Sequence, residues 1–222
     1  MSLRHHANYE TSSSFKRRTL AAVFLALYAF PTELLATQSK ISRGRYENLL
    51  IGYDAATHIL TGYYSDVHGA AGAPTCRFYF YGALETPLAH LTAFAPEQAD
   101  VMIQGSIKTF LPGHIAIGLD TVPASCSQQT AFGGSTTHFD VTRAAQWREV
   151  RMVKSTTALI YSAPDRTAPT LSSALTQGDA VGITESSKGW LKLTNAAGET
   201  PVSGWVRETD LYSVPTSVLK GR

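Results

Sequence analysis

Two sulfurs and a scatter of imidazoles are the groups in this chain that could do covalent or metal chemistry. Cys76 and Cys126 are its two cysteines. A thiolate beside an imidazole is a nucleophile, so Cys76 with His114 or His138 could form the pair that cell-wall cysteine peptidases use. Neither cysteine stands in a Cys-x-x-Cys, and Cys76 falls in a strand pattern rather than at a helix start whose dipole would favour the thiolate. Past residue 36 the histidines are His58, His68, His90, His114 and His138. They show no HxH, no HExxH and no acidic partner at fixed offset, which argues against zinc. No metal or other cofactor is expected. Gly133-Gly134-Ser135 lacks the GxSxG frame of a nucleophile elbow. Asp66, Asp120 and Asp140 sit at strand ends, where turn roles are the default.

The compartment decides what the sulfurs do. Lys16, Arg17 and Arg18 precede the apolar run Leu20 to Phe30; Pro31 ends that run and Ala36 offers a small residue for cleavage. This basic, apolar, small-residue order predicts a signal peptide over residues 1–36. The alternatives are a buried apolar helix or an uncleaved anchor. The run is about eleven residues, short of the roughly 20 a spanning helix needs, so no membrane span is expected after cleavage. In an exported chain the two cysteines are expected to form one disulfide. It would close a loop of about 50 residues, worth about 4 kcal/mol by chain entropy. The leader holds four of the 19 basic residues and two of the 17 acidic ones. The remainder then carries 15 of each and no net charge. A neutral chain with no basic stripe argues against nucleic acid as partner.

Hydrophobic residues make up 44% and charged residues 16%, enough apolar material for a packed core. From about Ser155 the chain reads as short strands divided by turns. Ala158 to Tyr161 is a strand leading into Ser162 to Asp165. Gln177-Gly178-Asp179 is a turn before the strand Ala180 to Ile183. Ser186 to Gly189 connects to Trp190 to Leu193, which alternates with period two. Asn195 to Gly204 is a polar loop before Trp205-Val206. Strands about ten residues apart in so short a stretch indicate a small barrel.

Tyr161-Ser162-Ala163-Pro164, Leu175 with Gly178-Asp179 and Val181, Gly189-Trp190-Leu191-Lys192-Leu193 and Gly204-Trp205-Val206, in that order, resemble the bacterial SH3 (SH3b) family over about sixty residues. The chain departs from that pattern in two places. Leu159-Ile160-Tyr161 replaces the usual Asn-Val-Arg, and the loop before Gly204 is long. The resemblance implies a binding or targeting module, of the kind that accompanies exported proteins at the cell wall and in some cases contacts peptidoglycan peptides. Tyr161, Trp190, Trp205 and Tyr212 are the candidates for its binding surface, since aromatics supply contact area at low entropic cost. A Trp opening a strand of a tiny barrel is also a common core residue.

Arg45 to Lys154 matches no family pattern. Arg45 to Asp54 and His58 to Asp66 read as two strands joined at Ala55-Ala56-Thr57. Arg77 to Tyr81 is a strand with aromatics on both faces. Val101, Ile103, Gly105 and Ile107 share a face of the next, and Ile115, Ile117 and Leu119 follow the turn Pro112-Gly113. Period-two alternation predicts an antiparallel meander, open or closed into a barrel. Thr86 to Ala99 reads as a loop or short helix, and Thr142 to Trp147 as one helical turn. If Phe78 and Phe80 face the core, Tyr79 and Tyr81 face outward with Tyr53, Tyr63 or Tyr64. Those tyrosines either meet a partner or are covered by a second layer.

The expected protein is mainly β. A β-meander or barrel-like domain at 37–150 is followed by an SH3-like barrel at 151–214 and a tail at 215–222. Its expected location is the periplasm or the exterior. Its expected role is non-catalytic, docking on peptidoglycan or an envelope protein. The alternatives are an inhibitor or immunity protein against an exported enzyme, and a cell-wall hydrolase using Cys76 or Cys126.

Overall fold

The computed structural model describes residues 41–66, 76–85, 87–124, 126, 132, 135–195 and 202–215. The expected leader at 1–36, His68, Gly133-Gly134 and most of the 215–222 tail lie outside the described residues. Among the described residues no helix is long and apolar enough to cross a membrane.

The chain is nearly all β, as its alternation predicts. Nine strands make the first sheet: β1 Gly44–Tyr46, β2 Leu49–Asp54, β3 Ile59–Asp66, β4 Cys76–Glu85, β5 Leu88–Ala95, β6 Gln98–Leu111, β7 His114–Leu119, β8 Thr136–Asp140 and β9 Arg143–Ala144. Each of β1 to β7 pairs antiparallel with the next in sequence, and β9 returns to β1. The two outermost strands are therefore separated by Val141 and Thr142 alone. The sheet curls until one stretch of chain meets β7 on one side and β1 on the other. Backbone bonds from Val141 to Gly113 and from Thr142 to Arg45, both 2.8 Å, hold that clasp.

Alternation sorts the side chains of this sheet. Leu60, Tyr64, Phe78, Phe80, Leu91, Ile107, Ile115 and Ile117 turn inward and are buried together. Tyr64 stacks on Phe78 at 5.2 Å, and Phe132 meets Phe78 edge-on at 5.1 Å. Burying each such side chain contributes about 2 kcal/mol. The Cys76–Cys126 disulfide lies in the same core.

Six strands make the second sheet: β10 Glu149–Met152, β11 Thr157–Tyr161, β12 Thr170–Thr176, β13 Ala180–Ser187, β14 Trp190–Asn195 and β15 Ser203–Arg207. They run in the order β10-β13-β14-β15-β11-β12. Ala158, Ile160, Val181, Ile183, Leu191, Leu193 and Val206 fill its own core.

The two sheets belong to one compact unit. Residues 147–150 bind them by crossing the outer side of β2 and β3. Val150 N–H donates to the buried Thr61 hydroxyl at 2.7 Å. Gly52 lies so close that a Cβ there would sit 2.4 Å from the Glu149 carbonyl carbon. Trp147 donates from its indole to Thr194 Oγ1 at 2.6 Å and covers Gly182. Arg148 reaches Asp54 at 2.7 Å. The Asp54 carboxylate feels burial first, which raises its pKa. Hydrogen bonds from Ala56 N–H and Arg148 outweigh that and leave it below the ordinary carboxylate value.

Three expectations need correction. The expected loop or short helix at Thr86 to Ala99 is, from Pro87 on, neither: β5 occupies Leu88–Ala95 and β6 begins at Gln98. Its inward residues include Ala89 and Ala93, whose small side chains weaken the apolar alternation, and Pro87 and Pro96 occupy turns rather than breaking a strand. Thr142 to Trp147 is extended and contains β9, because its backbone bonds go to Arg43 and Arg45 rather than to its own residues. The run Arg45 to Asp54 breaks at Glu47-Asn48, which turns β1 into β2.

A candidate aromatic binding face

Three strands of the second sheet set the site. On β11, Ala158 and Ile160 face the core, so Leu159 and Tyr161 face out. On β14, Leu191 and Leu193 face in, and Trp190, Lys192 and Thr194 face out. On β15, Val206 faces in while Trp205 and Arg207 face out. Register then brings the outward residues together. Trp205 stands opposite Tyr161 on one side and Lys192 on the other. Tyr161 and Trp190 meet edge to face with ring centroids 5.0 Å apart. Lys192 Nζ lies 5.9 Å from the centre of the Trp205 ring and 2.8 Å from Glu185 Oε1.

Tyr161, Trp190 and Trp205 are half-buried, packed along one edge and open on the other. Leu159 beside them is 45% exposed. Such a face offers flat apolar area, indole N–H donors and a cation and a carboxylate at the margin. It can stack on and hydrogen-bond a partner. Sequence reasoning named the three aromatics and missed Lys192, Glu185 and Leu159. Period-two alternation from Trp190 would have placed Lys192 on the same face.

The other candidates lie elsewhere. Tyr79 and Tyr81 do face outward from the first sheet, but they are buried in a cluster with Trp147, Val150, Met152 and Ala180. That second layer closes the surface, and no partner can reach the pair. Tyr79 is fully enclosed, its hydroxyl has no hydrogen-bond partner among the described residues, and burial pushes its phenol far above the usual value. Tyr212 packs at the margin of the same cluster, 5.3 Å from Phe94, and its carbonyl accepts from Arg151 at 2.9 Å.

The residues with covalent potential are dispersed. Cys76 and Cys126 are bonded to each other, so neither offers the thiolate that the hydrolase alternative requires. His114 pairs with Asp140, His58 contacts the Tyr53 hydroxyl at 3.3 Å, and His138 stacks on Phe110. Among the described residues no group of three or more His, Cys, Asp or Glu could hold a metal ion. Comparison with known proteins found no matching family model, no matching curated protein and no matching solved structure.

Proposed function

We propose that this chain is an exported binding protein of the cell envelope whose second sheet, read as an SH3-like module, docks on peptidoglycan or on an envelope protein. One observation carries the reading: Tyr161, Trp190 and Trp205 gather on one open sheet face, with Lys192 and Glu185 at its margin. Aromatic residues in such a setting commonly dominate binding energy. The buried disulfide and the basic–apolar order of the first thirty-six residues support export.

Retention of the purified protein on insoluble peptidoglycan tests the proposal. The protein is expected to co-sediment, with Trp190→Ala and Trp205→Ala each lowering retention about tenfold at unchanged thermal stability. Co-sedimentation unaffected by both substitutions would remove the aromatic face from the reading. No co-sedimentation would remove peptidoglycan and leave an envelope protein as the partner to seek.

A further inference from the structure

A cleft of about 310 Å³ opens on a different part of the molecule, where the turn between β12 and β13 overhangs the outer side of β1 to β4. Its floor follows from strand register. Arg45 stands opposite Leu50 and Leu50 opposite Tyr63, which makes one row across three strands. Ser65 stands opposite Arg77 in the next row. Their chain neighbours Tyr46, Leu49, Tyr64 and Phe78 fill the inner core, so these five line the outside. Gly178, Asp179 and Ala180 form the overhang.

The lining is balanced in charge. Two guanidiniums, Arg45 and Arg77, face two carboxylates, Glu47 and Asp179, over an apolar patch of Leu50 and Ala180. Arg77 is held by Glu97 on one side and lies beside Gly178 on the other, where an added Cβ would sit 3.1 Å from its Nη1. Asp179 is fixed by the Thr176 N–H, which donates to its carboxylate at 2.7 Å. The Tyr63 phenol is buried at the floor, hydrogen-bonded to Ser65, and senses Arg77, Asp179 and Glu97 together. Burial is the main reason its pKa is raised. A cavity of this volume with a few converging polar groups over apolar floor has the form of a small-molecule site. An anion alone would meet the two carboxylates, and a cation alone the two guanidiniums. A ligand with both ends charged can set each end beside the groups of opposite sign.

We propose that the cleft binds a small zwitterion, an amino acid or a dipeptide, with its carboxylate toward Arg45 and Arg77 and its ammonium toward Glu47 and Asp179. The site is built from both sheets and shares no residue with the aromatic face, so it stands or falls independently of that face.

The test is an NMR titration of the isotope-labelled protein with three probes: alanyl-alanine, its N-acetyl form and its methyl ester. Saturable shifts at the amides of Ser65, Arg77 and Gly178 are expected with the dipeptide. Binding about tenfold weaker is expected with each singly charged analogue. Arg45→Gln and Glu47→Gln should each weaken the dipeptide by a similar factor, and Glu47→Gln leaves the guanidiniums in place should Arg45→Gln disturb the fold. Absence of saturable shifts, equal binding of either analogue, or unchanged binding in Glu47→Gln and a folded Arg45→Gln would each overturn the proposal.

Discussion

The outward faces of the two sheets both carry aromatic side chains, Tyr63, Tyr79 and Tyr81 on the first and Tyr161, Trp190 and Trp205 on the second. Both sets arise in the same way, from alternation along strands whose other side packs a core. Their surroundings differ because β10 and the Trp147 segment lie over the first face, while on the second face Trp147 reaches Gly182 and Thr194 and Tyr161, Trp190 and Trp205 stay half-exposed. An aromatic on the outer side of a strand is thus a binding residue or a mortar residue according to what crosses it. That crossing is a tertiary event, made by residues far away in sequence.

The comparison can be broken most forcefully at Gly52. A methyl there would meet the Glu149 backbone at 2.4 Å, and backbone cannot swing aside as a side-chain tip can. Gly52→Ala is expected to cost about 3 kcal/mol, the upper part of the overpacking range. It should also admit solvent to Tyr79 and Tyr81, seen as greater acrylamide quenching of tyrosine emission. Thr61→Val keeps the shape but removes the acceptor of the buried Val150 N–H. About 2 kcal/mol of stability should go, read from the urea midpoint at unchanged slope.

Tyr79→Phe sharpens the contrast in the opposite direction. The hydroxyl is buried without a partner among the described residues, so deleting it should stabilise the protein by about 1 kcal/mol. A loss of stability would mean that the hydroxyl is bonded in solution. The smallest effect is expected at Asp54. Its folded pKa is lowered, so its contribution is complete above the unfolded value of about 3.9 and fades as pH falls through the folded one. Urea midpoints between pH 6 and pH 3 should fall more steeply for the native chain than for Asp54→Asn.

Much of the second sheet was legible in sequence because its turns carry Gly and its strands alternate cleanly. Ala158 to Tyr161, Ala180 to Ile183 and Trp190 to Leu193 all lie in strands as read. The curled sheet was legible where β-branched and aromatic residues mark the period, as at Arg77 to Tyr81 and Ile115 to Leu119. It was not legible at Leu88 to Ala95, where alanines fill positions that Val or Ile would have advertised. In the second sheet, the strand at Glu149 to Met152 was not legible either. That strand is recognised by its partners, Thr61, Gly52 and β13, rather than by its own four residues. The cleft was invisible for a similar reason. Arg45, Ser65 and Arg77 are ordinary polar residues until antiparallel register sets Ser65 beside Arg77 and Arg45 in the neighbouring row.

The stretch from Thr136 to Ala144 also guards the rims of the curled sheet. By touching β7 at one end and β1 at the other, it occupies backbone groups at both rims of the curled sheet. Displacement of those nine residues would uncover two rows of N–H and C=O groups at once. Rims of that kind recruit strands from other molecules. One short latch therefore stands between this sheet and self-association.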